Sequence, residues 1–241
     1  MSREPGDDRA ADRKRVEGKT AWAARKRATL GALPPLDPSR DRLPPGQHWT
    51  ESWPVLDLGD QPAIAPEAWR LEIDGAVESP LALDFEDLMA LPQVEVTRDF
   101  HCVTTWSTRD NRWQGVRFAE LMDRVVPRTE ATHVMLEGSD RAPDSGEFYT
   151  TNVALADCLE DEVMLVHARD GVPLDRVHGG PVRMMIPRLY AWKSAKWLRR
   201  ITLMVGDRSG YWETRGYSDT ARPWDNDRFQ GDAPPSTFEA L

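Results

Sequence analysis

Alternation of apolar and polar residues predicts strands through the middle of the chain. Trp69–Gly75 alternates and ends at a glycine, and Val94–Arg98 alternates again just before a cysteine. Both patterns are typical of strands with one buried face. Apolar segments of strand length predict further strands at 132–137, 148–153, 163–168, 182–186 and 197–205.

Helix signals are short and scattered among these strands. Asp84 can cap a helix that runs to Leu91 and is stopped by Pro92, while Phe118–Val125 and Leu155–Leu159 have helical patterns. Strands and helices do not alternate in a regular β-α-β order. The sequence therefore predicts an α+β fold with mixed sheets and short helices, rather than a doubly wound sheet.

The beginning of the chain differs from the rest in charge and proline content. Residues 1–30 hold nine Lys/Arg and five acidic residues, whereas the whole chain carries −9. Residues 31–66 are rich in proline, which indicates extended, irregular backbone. These residues include an apolar group at 53–58. We therefore expect the segment to lie across a domain surface and not to be disordered. We expect a basic, Pro-rich arm over 1–43, solvated or docking an acidic partner, and one domain over 44–241.

Bulk composition excludes several classes of function. The net charge of −9 argues against a general nucleic-acid binder. No apolar run follows the basic head as in a signal peptide, and no segment reaches the roughly 18–20 apolar residues of a membrane span. We expect a cytoplasmic protein with no membrane span.

The chain has two cysteines, Cys102 and Cys158. Cys158 lies on a predicted short helix and is expected in the core. Cys102 follows a strand and could pack in the core, attack a substrate, sense redox state or bind a metal; packing is the commonest of these roles. Neighbouring strand residues point to opposite faces, so His101 is poorly placed to activate Cys102 as a nucleophile. The residues alone leave the other roles open.

Four motifs occur in order along the domain: Cys102–Ser107, Gly179–Arg183, Pro187–Lys196 and Gly210–Tyr217. Together they resemble the sulfite oxidase-like molybdopterin oxidoreductases. The chain is more similar to their short branch, which includes the catalytic subunit of the periplasmic methionine sulfoxide reductase. The resemblance runs from about Pro44 to Phe229 and implies the sulfite oxidase-type fold.

The resemblance implies a molybdenum–molybdopterin cofactor with one pterin dithiolene, whose metal takes the Cys102 thiolate. Molybdenum is thiophilic, and the planar fork of an arginine suits the cofactor's phosphate. His101 and Thr104, beside the metal in that fold, are the other candidate catalytic residues. The implied cofactor contacts are Gly138, His178, Arg183, Ser194, Ala195 and Lys196.

The chain departs from the family pattern at four of these positions. His101 stands where relatives often carry Arg, and Thr104 where they often carry an acidic residue. His178 replaces a frequent Asn, and Gly138 replaces a Thr, so only the backbone could serve there. The substrate need not be that of the relatives.

Each candidate also has an ordinary structural interpretation. Arg183 could be a surface residue at a strand end, Lys193 and Lys196 a solvated basic turn, and His178 a loop residue. Arg98, Arg109 and Arg112 could steer an anion to the site or could be surface charges.

The function that the resemblance implies is two-electron oxygen-atom transfer on a small oxo-anion or an S- or N-oxide, in either direction. An external electron carrier is needed because the sequence shows no second redox centre. We expect a monomer, since a further dimerisation domain is missing. The alternatives are a non-catalytic sensor or scaffold with the same fold, and a cysteine-based redox sensor or thiol enzyme.

Overall fold

The computed structural model describes residues 42–231, together with Lys14 and Glu17, which are helical and exposed. Most of the predicted arm over residues 1–43 therefore lies outside the described residues. Among the residues described, no helix combines the length and the apolar character needed to cross a bilayer.

Two mixed β-sheets form the frame of the molecule, which confirms the α+β fold class. Their strands are β1 (His48–Trp49), β2 (Arg70–Gly75), β3 (Leu81–Asp84), β4 (Val94–His101), β5 (Trp106–Arg117), β6 (His133–Arg141), β7 (Phe148–Ala154), β8 (Met164–Arg169), β9 (Val172–Pro173), β10 (Arg183–Met185) and β11 (Leu198–Met204). The first sheet has the order β1-β5-β8-β10, with β4 paired to β5 and β9 to β8. The second has the order β3-β2-β11-β6-β7.

Strand β11 sets the register of the second sheet. It runs parallel to β2, where Ile201 pairs with Ile73, and antiparallel to β6, where Ile201 pairs with Leu136. All three side chains are buried because the alternation predicted from the sequence turns the same face of each strand to the core.

The helices form where the sequence predicts them. Asp84 accepts a hydrogen bond from the Asp87 amide and completes a capping box for α1 (Phe85–Ala90). Helix α2 (Phe118–Val125) buries Phe118, Leu121, Met122 and Val125, which lie on one helical face. The remaining helices are α3 (Leu155–Cys158) and 3-10 turns at Pro66–Ala68, Arg176–His178, Ala191–Lys193 and Glu213–Arg215.

Strand β5 is the largest element that the hydrophobic pattern does not predict. It spans 12 residues and contains a polar run, Ser107–Arg112, that breaks the alternation. Within this run Asn111 is buried, and its amide donates to the backbone carbonyls of Arg98 and Thr108. Backbone acceptors in the hairpin therefore satisfy the NH2 group of this side chain, whose polarity interrupts the alternating pattern of the strand.

Residues 42–66, here called the strap, lie across the domain surface, as the sequence predicts. Its Trp53 ring stacks on the His178 ring at 3.9 Å between centroids and meets the Trp113 ring edge-on at 5.4 Å. The strap is thus fixed to strand β5 and to the 3-10 turn at Arg176–His178, next to the cavity described below.

Candidate functional site

A cavity of about 820 Å³, counting its open mouth, lies between the strap and residues of both sheets. The structure brings seven of the predicted site residues to its lining: Cys102, Thr104, His178, Arg183, Ser194, Ala195 and Lys196. It does not bring His101 or Gly138 there. Residues as far apart in the chain as Cys102 and Lys196, more than 90 positions, thus meet at one site.

Cys102 lies in the tight turn that joins β4 to β5. Its amide donates to the Trp106 carbonyl at 2.9 Å, and the Thr105 amide donates back to the Cys102 carbonyl at 3.0 Å. Thr105 takes a positive φ of 81°, which closes the turn. The Cys102 side chain is 6 % exposed, and its Sγ lies 3.2 Å from Thr104 Oγ1. The turn therefore presents a buried thiol and a hydroxyl side by side to the cavity.

His101 faces away from the cavity, as expected from strand alternation. Its Nδ1 lies 2.9 Å from Ser107 Oγ, and its ring meets the Trp224 ring edge-on at 5.1 Å. Burial lowers the pKa of His101 to about 4, although Asp99 acts in the opposite direction. The ring is therefore neutral near pH 7 and lies behind the Cys102 turn.

Arg183 is a buried cation on the cavity wall, not a residue at the surface. It begins β10, is 4 % exposed, and donates to the carbonyls of His178 at 2.9 Å and Ser194 at 2.8 Å. Burial lowers its pKa to about 9. Within the described part of the chain it forms no ion pair with a carboxylate. Such a site favours an anionic ligand, because a buried charge without a counter-ion is costly.

Lys196 and two carboxylates form a second charged group in the cavity. Lys196 Nζ donates to the Val177 carbonyl at 2.8 Å and lies 3.6 Å from Asp57 of the strap. Burial lowers the pKa of Lys196 to about 8 and raises that of Asp140 to about 7. The Asp140 Oδ1 atom is buried, and no described residue hydrogen-bonds to it. This unsatisfied acceptor faces a cavity and suits a ligand that carries N–H donors.

Backbone groups complete the wall on which Arg183 lies. The Ser194 Oγ accepts from the Ile186 amide at 2.9 Å, which leaves its own hydrogen free to donate. The amides of Ala195 and Lys196 donate to no acceptor among the residues described. Two free amides and a hydroxyl next to two cations form a suitable site for a phosphate.

Two glycines allow the close approach that this wall requires. A Cβ on Gly138 would lie 2.4 Å from Asp140 Oδ1 and 2.7 Å from the Lys196 carbonyl oxygen. Gly179 has a φ of 101°, and a Cβ there would meet the Lys196 side chain at 2.8 Å. Gly138 therefore contributes space next to the cavity, although it does not line it.

His178 ends a 3-10 turn and has protein partners at both ring nitrogens. Nδ1 lies 2.8 Å from Asp175 Oδ1, and Nε2 lies 3.1 Å from the Trp53 carbonyl oxygen. A ligand in the cavity would therefore meet the ring edge or backbone of His178 rather than a free ring nitrogen.

The sequence interpretation misses several aromatic and charged residues of the site. Trp106, Trp192, Trp212 and Tyr217 line the cavity near the Cys102 turn, and the buried Trp106 Nε1 has no hydrogen-bond partner in the described chain. Behind Trp192, the Lys193 ammonium is fully buried against Glu213 at 2.7 Å. Lys193 thus forms an internal ion pair and is not part of a solvated basic turn. The four aromatic residues lie within the motifs Cys102–Ser107, Pro187–Lys196 and Gly210–Tyr217, although none was predicted as a site residue.

The three arginines considered for anion steering are surface charges. Arg98, Arg109 and Arg112 have side chains 50 %, 54 % and 52 % exposed, and their partners are Glu162, Glu51 and the pair Glu95/Asp170. None of them lines the cavity.

Cys158 is fully buried in the core, as predicted.

Comparison with protein families places most of the cavity's lining within a known domain. Residues 58–212 match the family described as the oxidoreductase molybdopterin binding domain. This match covers more than half of the chain and includes Cys102, Arg183 and Lys196. It leaves out most of the strap and the tail after Trp212.

Known proteins with similar sequences are oxidoreductases. The chain is 42% identical over 192 residues to the uncharacterized oxidoreductase YuiH of Bacillus subtilis, covering 79% of this chain and 93% of YuiH. It is 30% identical over 202 residues to mitochondrial sulfite oxidase of Macaca fascicularis, covering 74% of this chain but 37% of that protein.

A solved structure shares the fold. The crystal structure of the sulfane dehydrogenase SoxCD from Paracoccus pantotrophus aligns with a TM-score of 0.54 and 23% identity. The alignment covers 61% of this chain and 41% of that chain. At this identity the likeness concerns the architecture of the domain alone.

Proposed function

The chain belongs to the family of oxidoreductase molybdopterin binding domains, and we propose that it catalyses two-electron oxygen-atom transfer on a small S- or N-oxo substrate. The direction, sulfite-like oxidation or S- or N-oxide reduction, is left to experiment. The observation that carries the proposal is the meeting of the Cys102 thiol with the buried Arg183 cation in one cavity.

The residues present fit a molybdenum–molybdopterin cofactor. Cys102 offers one thiolate, the ligand type that molybdenum favours. Arg183, Lys196 and the free amides of Ala195 and Lys196 suit the phosphate. The unsatisfied Asp140 oxygen suits the N–H donors of a pterin ring. Gly138 lacks the Cβ that would lie 2.4 Å from this oxygen, so no side chain at position 138 occupies the space next to it.

In the proposed mechanism the bound cofactor supplies the two-electron change, and the protein supplies position and electrostatics. The Cys102 turn holds the thiolate that ligates the metal. Arg183 and Lys196 neutralise the anionic end of the cofactor, and the aromatic residues Trp106, Trp192 and Trp212 limit access of water to the reaction site. Thr104 Oγ1, 3.2 Å from Sγ, is placed to donate a hydrogen bond to the sulfur.

Cys102→Ser is the first test of this function. We expect wild-type protein from a molybdenum-replete host to carry about one molybdenum per chain and to release pterin on denaturation. Cys102→Ser should lower turnover by more than about 100-fold and change the electronic spectrum of the metal, because a direct ligand outweighs an outer-shell partner. Elemental analysis, absorption spectra and a screen of sulfite, sulfoxides and N-oxides provide the measurements.

Cys158→Ala is the matched control, since Cys158 is likewise a buried cysteine but lies in the core outside the cavity. It should keep metal, spectrum and turnover. An unchanged spectrum in Cys102→Ser would place the ligand elsewhere. Bound metal and pterin without turnover of any substrate would favour the non-catalytic sensor or scaffold.

The partners follow from the same proposal. Two-electron oxygen-atom transfer would need a partner that supplies or accepts the two electrons, so an external electron carrier has to complete the cycle. A monomeric, cytoplasmic protein and a separate arm over residues 1–43 stay predictions, which size measurement, fractionation and an arm deletion can test.

A further inference from the structure

Two consecutive carbonyls of the Cys102 turn accept hydrogen bonds from distant side chains. Gln47 Nε2 donates to the Cys102 carbonyl at 2.9 Å, and Arg228 Nη1 donates to the Val103 carbonyl at 2.5 Å. Gln47 comes from the strap and Arg228 from the tail, so both lie outside the residues 58–212 matched by the family. The turn is thus held from two sides by segments that the domain match does not include.

Arg228 is anchored in its position by further contacts. Its side chain is fully buried, its Nη2 donates to the Pro45 carbonyl at 2.9 Å, and its guanidinium lies 4.9 Å from the centre of the Tyr190 ring. A buried guanidinium has few alternative positions, and its fixed fork ties the turn and the strap together. The Val103 carbonyl is therefore held by a rigid donor.

Gln47 is linked to both ends of the same turn. Ser107 Oγ donates to Gln47 Oε1 at 3.3 Å, and the His101 Nδ1 lies 2.9 Å from that Ser107 Oγ. His101 and Ser107 are also paired across the β4–β5 hairpin. A series of hydrogen bonds thus links His101 through Ser107 and Gln47 to the Cys102 carbonyl, behind the thiol.

We propose that Gln47 and Arg228 are positioning residues that orient the Cys102 thiolate toward the metal, with His101 and Ser107 supporting Gln47. Two restrained successive carbonyls leave the Cys102–Val103 backbone little rotation, so the direction of the Cys102 Cα–Cβ bond is set. This direction limits the positions that Sγ can reach by rotation about that bond. The inference rests on the proposed function, because it needs a metal at Cys102.

The test compares full-length, metal-loaded Arg228→Gln, Arg228→Lys and Gln47→Leu with wild type. We expect Arg228→Gln and Gln47→Leu to keep about one molybdenum per chain, to shift the electron paramagnetic resonance g-values of the one-electron-reduced metal, and to lower kcat about tenfold with KM unchanged. Arg228→Lys, which can still donate to the Val103 carbonyl, should recover part of the wild-type spectrum.

Asp227→Asn is the control for a merely structural role. Asp227 is buried beside Arg228 and accepts from Thr220 Oγ1 and the Arg222 amide, so it stabilises the tail without contacting the turn. It should lower the Tm while keeping the wild-type g-values.

Three outcomes would overturn the inference. They are wild-type g-values in both Arg228→Gln and Gln47→Leu, an equal shift in Asp227→Asn, or a kcat unaffected by the lost contacts. If Arg228→Gln does not fold, Gln47→Leu decides alone. A wild-type protein that binds no molybdenum would instead count against the proposed function.

Discussion

The two walls of the cavity differ in how they carry charge. The Cys102 wall consists of a thiol, a hydroxyl and indole rings, and the histidine behind it has a pKa lowered by burial to about 4. The opposite wall carries Arg183 and Lys196, whose pKa values burial lowers to about 9 and about 8. The contrast indicates a ligand that offers a metal to one wall and an anionic group to the other.

The charged wall holds buried charges that a bound anion would stabilise. Arg183 and Lys196 donate to backbone carbonyls, and Lys196 also lies 3.6 Å from Asp57. The Asp140 carboxyl has an oxygen with no hydrogen-bond partner among the residues described. The Cys102 wall, in contrast, has its turn carbonyls satisfied by the protein itself. We therefore expect the charged wall to respond to pH.

The largest stability effect predicted on the charged wall concerns Asp140. Burial raises its folded-state pKa to about 7 from the usual 3.8, so the folded protein holds this proton where the unfolded chain has released it. Asp140 then contributes to stability below about pH 4, and this contribution is lost as the pH rises to about 7. The shift corresponds to a change of about 4 kcal/mol at most.

Asp140→Asn removes this titration and is the comparison for it. Denaturant unfolding of cofactor-free protein between pH 4 and 8 should show the stability of wild type falling relative to Asp140→Asn. Parallel stability curves for the two proteins would mean that Asp140 titrates normally, and the cavity would then be more open to water than we infer.

Arg183→Met tests the anion-binding role of the same wall. It removes the more deeply buried of the two cations on this wall while keeping a long apolar side chain, so cofactor retention should fall about 10- to 100-fold. Measurement of pterin and molybdenum per chain during dialysis gives the effect. The control Arg199→Met loses an arginine that pairs with Glu137 outside this cavity, and it should retain the cofactor. Equal loss in both variants would point to general destabilisation.

The smallest effect is expected at Arg98, on the outside of the Cys102 wall. Its half-exposed side chain pairs with Glu162 on the surface, so Arg98→Gln should change the free energy of unfolding by less than about 1 kcal/mol. It should also leave kcat/KM unchanged. A fall in kcat/KM that disappears at high salt would show that this arginine steers an anionic substrate after all.

The predictable part of the fold is the part with a local pattern. Strands β2 and β4 and helices α1 and α2 were predicted from alternation, helical spacing and the Asp84 cap. Strand β5 was not, because the buried Asn111 gains its hydrogen bonds only within the assembled hairpin. The same limit applies to the site. Motifs identify Cys102, Arg183 and Lys196, whereas Asp140, an isolated carboxylate in a strand, has no local signal.

The sequence by itself determined the α+β class, the position of Cys102 after a strand and the motif residues, because strand period, helix capping and motif spacing are properties of neighbouring positions. Only the tertiary structure decided which face of the Cys102 turn is the cavity face. It also decided that Lys193 forms an internal ion pair while Lys196 lines the cavity. Finally, it showed that Gln47 and Arg228 hold the turn. Contacts across 55 and 125 positions depend on how strap, sheets and tail pack together. No local pattern of polarity encodes that packing.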